Sequence, residues 1–323
     1  LAEGLIEAPV AVIADDASAR GEKHFVIYNP PVVDHELGLR KSALQESLRL
    51  IGDLQHYHLQ SLVFVRSRRS VEMLLRQMQQ ESGQQPGASI ASVKGYRSGY
   101  LPGERRQIEA GLRDGTARTV IATNALELGI DIGGVSAAIL VGFPGSIAAA
   151  WQQAGRAGRH DDPSLAVLLT SANPIDQFIA RHPEYFFDRT PEQALLNPDH
   201  PVILLNHIQC ALYELPFLEG EGFGALSGAV VSEYLNYLAE TGALQRSGNK
   251  LHWTSTETPA HQMSLRNASP NKVVLYGSEG VIGEIDQESA YWMVHPQAIY
   301  LHQGQSYLVD RLDTEHAVAN LSP

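Results

Sequence analysis

The sequence predicts an α/β fold: a parallel sheet with helices on both faces, followed by a helical segment with a hairpin and a small β-rich unit. Three observations support it. From residue 24 to residue 190, short runs rich in Val and Ile alternate with helical patterns across short links. A group of prolines then marks a boundary near residues 190–200. Beyond it, two helical patterns are followed by closely spaced strand patterns separated by glycines.

The strand candidates are apolar on successive residues, as strands buried on both faces should be. They are His24–Tyr28, Ser61–Val65, Ile90–Lys94, Thr119–Ala122, Ala137–Gly142 and Leu165–Thr170. The segments with helical spacing between them are Leu37–His56, Ser70–Gln80, Pro102–Arg113 and Ser146–Gln153. Strand–helix alternation with short links predicts a parallel sheet covered by helices on both faces.

After the boundary, Val202–Leu215 and Ala229–Thr241 have helical patterns, and Ala243–Arg246 and Leu251–Thr254 predict a hairpin. Helices followed by a hairpin resemble a winged-helix module. The predicted segments are therefore residues 1–23 as a linker or the end of a preceding domain, 24–190 as the α/β domain, 197–258 as the winged-helix-like domain and 259–323 as the β-rich domain. Within the last segment, Tyr291 and Trp292 are predicted to be core residues rather than a platform for nucleic-acid bases.

Composition excludes several classes of protein. The chain has 323 residues, 44% of them hydrophobic and 19% charged, which is ordinary for a folded protein of about two domains. No apolar run reaches about 18 residues, so no membrane span is expected. A single cysteine, Cys210, excludes an internal disulfide and a zinc site built from four cysteines of this chain. Because the chain opens at Leu1 without a signal peptide, we expect a piece of a longer, cytoplasmic protein.

The net charge of −12 hides a gradient along the chain. Residues 61–118 carry 10 basic and 5 acidic groups, whereas residues 191–323 carry 5 basic and 15 acidic groups. A local basic zone can hold phosphate within an acidic protein, because charges are screened over about 8–10 Å. The alternative is that these basic residues are solvated helix faces.

Residues 152–159, Gln-Gln-Ala-Gly-Arg-Ala-Gly-Arg, are the strongest candidate for chemistry. If the preceding helix continues, Gln152, Gly155, Arg156 and Arg159 share one face. Two glycines so close cost a helix about 2 kcal/mol relative to alanine, so close approach of a backbone or ligand is expected. The two arginines suit phosphate oxygens. The alternative is a surface helix with arginines at its end.

Residues 123–131, Thr-Asn-Ala-Leu-Glu-Leu-Gly-Ile-Asp, follow an apolar strand. The loop at the carboxyl end of a parallel strand is where open α/β sheets bind ligands. Thr123 offers a hydroxyl to a phosphate, Gly129 allows close backbone approach and Asp131 can accept a hydrogen bond from a ribose hydroxyl. The alternative is an aspartate that caps a turn.

Two further strand ends carry basic residues. Residues 61–70 run from a buried strand into a loop with Arg66 and Ser67, and residues 96–106 combine Arg97 with tyrosines and further arginines. Aromatic and basic side chains together suit the backbone and bases of a nucleic acid. Each segment alone could be a solvated loop, but all four at successive strand ends of one sheet form a specific pattern.

In this order the four segments resemble motifs IV, IVa, V and VI of superfamily 2 helicases, over residues 24–190. Four stretches carry a closer resemblance: "GYRSGYLPGERRQIEAGLRDG", "VIATNALELGIDIG", "GFPGSIAAAWQQAGRAGRH" and "NPIDQFIARHPEYFF". They are similar to the bacterial mitomycin repair factor A group and its RecQ-like eukaryotic relatives of the DEAD/DEAH-box type. Weaker similarity continues to about residue 318.

The resemblance implies that residues 24–190 are the second of two RecA-like lobes, which together clamp ATP. It implies a role for each candidate residue. The catalytic set at the γ-phosphate is Gln152, Arg156 and Arg159. The set bordering the nucleotide is Gly129 and Asp131. The set lining the nucleic-acid track is Arg66, Ser67, Arg97 and Thr123. No metal ligand is assigned within this chain.

The sequence also departs from the complete helicase pattern. It contains neither G-x-x-x-x-G-K-[ST] nor an Asp-Glu box, so ATP and Mg²⁺ are expected to be held mainly by a first lobe preceding Leu1. A four-cysteine cluster of the group would lie beyond the end of this chain. The resemblance thus implies the C-terminal half of an ATP-dependent DNA helicase or translocase in DNA repair, inactive by itself. Its expected partners are DNA, as a single strand or fork, and the N-terminal lobe, with no membrane.

Two alternatives remain open at this stage. One is an RNA helicase, or a translocase that separates no strands. The other is a catalytically silent nucleic-acid-binding module that keeps the fold.

Overall fold

The computed structural model describes residues 8–13, 21–82, 92–127, 132–158, 162–192, 200–263 and 271–323, together with Glu3, Ile6 and Ile130. Two compact units are present: Leu1–Gln193 with Lys272–Pro323, and Ala194–Asn271. Among the described residues, no helix combines the length and the apolar character needed to cross a bilayer.

The centre of the first unit is a six-stranded parallel sheet within the described residues, in the order β1-β8-β7-β4-β6-β5. Its strands are β1 (Lys23–Tyr28), β4 (Ser61–Val65), β5 (Val93–Tyr96), β6 (Thr119–Ala122), β7 (Ala137–Val141) and β8 (Ser164–Leu169). The parallel sheet predicted from the apolar runs is confirmed. The start predicted for the third strand, at Ile90, lies outside the described residues.

Helices cover both faces of this sheet. They are α1 (Ala43–His56), α2 (Arg68–Ser82), α3 (Pro102–Asp114), α4 (Ile147–Ala154), α5 (Pro174–Arg181) and α6 (Pro183–Phe187). One core packs α1 and α2 against residues such as Val63 and Ile139 on one face of the sheet. Two further cores, around Leu62 and Leu140, cover the other face.

The prediction that a helix spans Leu37–His56 is wrong in its first turns. The chain forms a short hairpin there, β2 (Val32–Asp34) with β3 (Leu39–Arg40), and α1 begins only at Ala43. The Asp34 carboxylate accepts the N–H groups of Glu36 and Leu37 at 2.9 and 3.0 Å. This turn competes with helix formation for the same backbone donors.

The C-terminal β-unit, Lys272–Pro323, belongs to the first unit. Its mixed sheet has the order β13-β12-β16-β15-β14. Its elements are β12 (Lys272–Gly277), β13 (Gly280–Asp286), the helix Gln287–Met293, β14 (Ile299–His302), β15 (Gln305–Asp313) and β16 (Val318–Ser322).

The C-terminal β-unit packs on α2 and on the loop that follows β5. Glu284 N donates to Gly99 O at 3.1 Å. Gly283 permits this approach, because a Cβ there would lie 2.5 Å from the same oxygen. Arg76 Nη1 donates to Ser306 Oγ at 2.9 Å. The C-terminal β-unit is therefore an extension of the α/β lobe.

The prediction that Tyr291 and Trp292 are core residues is wrong. Both lie on the helix Gln287–Met293, and they are 56% and 68% exposed. That helix is only two turns long and turns Ala290 into the core instead. The inner face of so short a helix has only one buried position, so the neighbouring aromatic residues point outward.

The second unit contains the helices Pro201–Glu214, Gly228–Glu240 and Pro259–Gln262, and the strands β9 (Phe217–Leu218), β10 (Leu244–Ser247) and β11 (Lys250–Trp253). The strands form an antiparallel sheet in the order β10-β11-β9. Its core joins residues from both long helices, including Ile208 and Leu235, to Leu251 of the hairpin. The two helices and the hairpin predicted after the boundary are present.

Candidate functional site

The carboxyl edge of the parallel sheet brings three of the candidate segments together. A pocket of about 180 Å³ opens there. Its lining includes Arg66 after β4, Asn124 after β6, Gly142 after β7 and Gln153 near the end of α4. These residues are far apart in sequence and meet because parallel strands end at one edge.

Arg156 joins the segment after β6 to the turn after α4. Its Nε and Nη2 donate to Glu127 O at 3.1 and 2.6 Å, and its Nη1 donates to Ile130 O at 2.8 Å. All three guanidinium nitrogens are thus bound to main-chain carbonyls of one loop. This arrangement positions the loop, and its contact to a γ-phosphate stays a prediction.

The helix does not continue through residues 152–159, as the shared-face argument required. It ends at Ala154, a turn follows at Gly155 and Arg156, and Gly158 has a φ of 110°. A positive φ suits glycine and is incompatible with a helix, so the chain has left the helix by Gly158. Gln152 is exposed, whereas its buried neighbour Gln153 donates to Glu127 Oε2 at 2.9 Å.

Arg66 is held at the edge of the sheet by a buried carboxylate. Its Nη2 donates to Asp176 Oδ1 at 2.8 Å and also to Phe143 O. The Arg66 side chain is 44% exposed, whereas Asp176 is fully buried. Gly142, with a φ of 84°, leaves the space, because a Cβ there would lie 3.1 Å from Arg66 Nε. Arg66 is therefore oriented and still reachable from solvent.

Ser67 and Thr123 lie at the same edge. Ser67 Oγ accepts the N–H of Ser70 at 3.0 Å and so caps the first turn of α2. Ser67 is exposed, and Thr123 is 9% exposed at the start of the turn Asn124–Leu126. Both hydroxyls are placed where the predicted track would run, and their contact to nucleic acid stays a prediction.

The prediction that Arg97 lines the nucleic-acid track is corrected by the structure. Arg97 is 1% exposed, and its Nε donates to Glu72 Oε1 at 2.7 Å. Its Nη2 donates to Leu301 O at 2.9 Å, in the C-terminal β-unit. A buried guanidinium needs compensation on every side, and here it is supplied by protein groups rather than by phosphate.

Glu72 is the centre of the same buried network. Its Oε1 also accepts from Tyr100 Oη at 2.9 Å, and its Oε2 accepts the N–H of Gly304 at 2.8 Å. Burial alone would lower the pKa of Arg97, but Tyr300 and Glu72 raise it, so the guanidinium stays charged. Burial and then the charge of Glu72 raise the pKa of Tyr100, which remains a neutral donor.

His302 packs against this network without a hydrogen bond on Nδ1. The residue is 4% exposed and lies edge-on to Tyr100, with ring centroids 5.0 Å apart. Its buried Nδ1 has no partner among the described residues. Burial, assisted by the charge of Arg97, lowers the pKa of His302 to about 4. His302 is therefore neutral at physiological pH.

Several candidates cannot be placed in the geometry. Gly129, Asp131 and Arg159 lie outside the described residues. Among the residues that are described, no group of three or more His, Cys, Asp or Glu side chains could hold a metal ion.

Sequence reasoning did not identify four residues that organise the site: Glu72, Glu127, Gln153 and Asp176. Glu72, Glu127 and Asp176 each bind a candidate from another segment, and Gln153 binds Glu127. These partners are distant in sequence, so no local motif indicates them. The sequence does indicate Glu72, because it lies on the inner face of α2 among Val71, Leu74 and Leu75 of the core. A lone acidic residue at a core position indicates a buried partner.

Comparison with known proteins now assigns the domains. Residues 41–161 match the family model of the helicase conserved C-terminal domain. Residues 196–268 match that of the ATP-dependent helicase HRQ1 winged-helix domain. The chain carries a helicase C-terminal domain and an HRQ1-type winged-helix domain.

Comparisons over nearly the whole of this chain agree with these domains. The chain is 46% identical over 324 residues to the uncharacterized ATP-dependent helicase YprA of Bacillus subtilis, covering 99% of this chain and 43% of YprA. It is 33% identical over 314 residues to the ATP-dependent helicase hrq1 of Schizosaccharomyces pombe, covering 94% of this chain and 29% of that protein. The resemblance to this helicase group, predicted from the motifs, is confirmed.

A solved structure shares the whole fold. The crystal structure of the DUF1998 helicase MrfA bound to DNA and AMPPNP matches with a TM-score of 0.83 and 45% identity, covering 99% of this chain and 45% of that one. The chain spans less than half the length of these relatives.

The buried pair of the helicase C-terminal domain leads to a first prediction. Glu72→Gln should lower the free energy of unfolding by about 3–5 kcal/mol, because it leaves the Arg97 charge buried without its counter-charge. The double variant Glu72→Leu/Arg97→Met should recover part of that loss. Urea unfolding followed by circular dichroism measures both.

The control is the exposed pair Lys272–Glu284, whose atoms lie 2.8 Å apart with side chains 59% and 39% exposed. Lys272→Ala should change stability by no more than about 1 kcal/mol. A Glu72→Gln protein as stable as the Lys272→Ala protein would contradict the structural role of the buried pair.

A second prediction concerns pH. The pKa of His302 is about 4 in the folded protein, against 6.5 for the ordinary side chain. The unfolded state therefore binds more protons between these values, and stability falls as the pH drops from about 6.5 to about 4, by up to about 1.4 kcal/mol per pH unit. His302→Leu should remove this contribution.

Urea unfolding of the parent and the His302→Leu protein between pH 4 and pH 6.5 checks this prediction. The matched control is His35→Leu, which replaces an exposed histidine. Parent and His302→Leu proteins that lose stability in parallel as the pH falls would show that His302 does not titrate as described.

Proposed function

We propose that this chain is the C-terminal part of an ATP-dependent helicase or translocase that acts on DNA. The observation that carries the proposal is the convergence of Arg66, Asn124 and Gln153, from three separate segments, on one pocket at the carboxyl edge of the sheet. The relatives support it, since YprA and hrq1 bear the names of ATP-dependent helicases and MrfA was solved with DNA and AMPPNP.

In this proposal Arg159 is the arginine finger and Arg156 is a positioning residue. Phosphoryl transfer spreads negative charge over the γ-phosphate oxygens, and an arginine finger that stabilises it is worth about 10³–10⁵ in rate. All three guanidinium nitrogens of Arg156 already donate hydrogen bonds to Glu127 O and Ile130 O. It thereby holds the segment after β6 against the turn that leads to Arg159. Gln152 stays at the same end of α4 as a further candidate.

The triphosphate and Mg²⁺ would be held mainly by a preceding lobe, with Gly129 and Asp131 bordering the nucleotide from this side. When ATP is bound between the lobes, its hydrolysis would supply the free energy for their movement. This chain contributes charge for the γ-phosphate across the cleft. Because that charge must come close for transfer, hydrolysis would be coupled to closure of the two lobes.

The nucleic-acid track in this proposal keeps Arg66, Ser67 and Thr123. Asp176 and Phe143 O orient the Arg66 guanidinium while leaving it partly exposed, so a phosphate can bind without ordering a flexible side chain. The track residues and the candidate finger belong to one lobe. A closure that moves the finger therefore also shifts the surface that grips the strand.

The winged-helix domain would help hold duplex DNA or a fork. The choice of DNA over RNA, the role in DNA repair and the cytoplasmic location rest on the family relationship. Unwinding of DNA and RNA duplexes by the longer protein tests the choice: faster unwinding of DNA supports the proposal, and RNA-only unwinding contradicts it. ATPase activity without strand separation would indicate a translocase.

The third prediction concerns Arg159 in the longer protein that contains both lobes. Arg159→Ala should lower kcat for ATP by about 10³ or more with saturating DNA, and nucleotide affinity should stay within about 10-fold, because the guanidinium acts mainly as charge develops. Arg159→Lys should not restore activity, since an ammonium lacks the planar fork. Steady-state ATPase assays alongside melting curves measure both effects.

Arg118→Ala serves as the control, because Arg118 is an exposed arginine immediately before β6 and does not line the pocket at the carboxyl edge of the sheet. It should leave turnover unchanged. An Arg159→Ala enzyme that keeps most of its turnover would contradict the assignment of Arg159 as the finger.

The fourth prediction is that the 323-residue chain alone hydrolyses no significant ATP, because it contains no Walker lysine and no Asp-Glu box. A phosphate-release assay with and without single-stranded DNA checks it. Robust DNA-stimulated turnover by the purified chain would contradict the division of the active site between two lobes.

A further inference from the structure

A groove runs between α2 and the C-terminal β-unit, apart from the pocket at the sheet edge. Its volume is about 500 Å³. Three arginines of α2, at positions 68, 69 and 76, form one wall, and Trp292 and Ile299 lie on the other. Because both walls belong to one compact unit, the groove is part of the folded lobe.

The groove carries excess positive charge. Its acidic lining residue, Glu72, is paired with Arg97, and the lining residue Arg68 is paired with Asp286 at 3.3 Å. Arg69 and Arg76 are exposed, and neither forms an ion pair with a described residue. Their positions differ by seven residues, which places them on the same side of the helix about 10 Å apart. That distance corresponds to about three nucleotide steps of a stacked strand.

The opposite wall exposes an aromatic ring. Trp292 is 68% exposed and contacts no other ring among the described residues. Beside it, Ile299 is 64% exposed. Adjoining exposed apolar side chains rimmed by polar residues are typical of a binding groove. An aromatic face opposite a row of arginines offers stacking to a base and charge to its phosphates.

We propose that this groove binds single-stranded nucleic acid, with a base stacked on Trp292 and phosphates on Arg69 and Arg76. A single strand is favoured over a duplex because only unpaired bases present a free face to the indole ring. Binding is indifferent to sequence, since every base has such a face. The inference rests on the proposed function only in taking nucleic acid as the substrate, and it adds a contact outside the track of Arg66, Ser67 and Thr123.

The buried pair explains how the groove keeps its shape. Arg97 donates to Glu72 of α2 and to Leu301 O of β14, so it ties one wall to the other from below. Arg76 Nη1 and Ser306 Oγ join the walls again at 2.9 Å. The strand would therefore bind a preformed surface, so ordering the groove side chains would cost little conformational entropy.

The test measures binding of a fluorescently labelled oligothymidylate to the full 323-residue chain by anisotropy, at about 50 mM salt and upward. Trp292→Ala should weaken binding about 10-fold, the scale of one base–aromatic stack. Arg69→Ala/Arg76→Ala should weaken it and reduce the slope of log K against log salt by about 1.4, since each phosphate contact contributes about 0.7 for a single strand.

Matched controls separate the groove from general effects. Tyr57→Ala removes an aromatic residue that is 71% exposed at the end of α1, and Arg118→Ala removes an exposed arginine; both should bind like the parent. Tryptophan fluorescence adds a readout that a structural role would not move. Oligothymidylate should quench the parent and Trp151→Phe proteins, and the quenching should be lost in Trp292→Phe.

Three outcomes would overturn the inference. One is groove variants that bind like the parent with an unchanged salt slope. Another is a parent chain that binds no single strand at low salt; if the longer protein still unwinds DNA, the proposed function stands without the groove. The last is tighter binding of an acidic peptide of equal charge than of the oligonucleotide, which would identify a protein partner instead.

Discussion

Parallel strands that are buried on both faces leave only the ends of the sheet for chemistry, and this constraint organises the first unit. Strands β4, β6 and β7 end at one edge, so Arg66, Asn124 and Gly142 line a single pocket. The polar groups of these loops are then tied to one another. Arg156 binds carbonyls of the segment after β6, and Asp176 holds Arg66. The site therefore consists of loops at the carboxyl edge of the sheet that hydrogen-bond to one another, and it is not a cavity inside the fold.

The same residue type serves opposite purposes on either side of α2. Arg97 is buried, and its charge is compensated by Glu72 and by groups of the C-terminal β-unit. Removing a guanidinium from water costs several kcal/mol, so such a pair adds little net stability but penalises any arrangement that breaks it. That penalty joins the C-terminal β-unit to the lobe. Arg69 and Arg76, on another face of the helix, are exposed and form no ion pair with a described residue, so their charge is available to an anionic ligand.

The overall charge of −12 says little about either surface. Acidic groups near the groove, Glu72 and Asp286, are neutralised by arginines of the same unit. The basic zone of residues 61–118 therefore divides into a structural part, centred on Arg97, and a solvent-facing part that includes Arg66, Arg69 and Arg76.

Much of the fold could be predicted from the sequence alone. Local apolar runs predict the strands Ser61–Val65 and Thr119–Ala122 and the parallel sheet. A strand that is buried on both faces has apolar side chains at successive residues, which the sequence shows directly. The end of the helix at Ala154 could not be predicted, because the residues that follow it bond to a distant segment: Arg156 to Glu127 O and Ile130 O, and Gly158 N to Val135 O. The partners of Arg97 and Arg156 and the exposure of Trp292 were decided only by tertiary structure. A guanidinium or an indole ring is compatible with interior and surface alike, and which it occupies depends on groups that are distant in the chain.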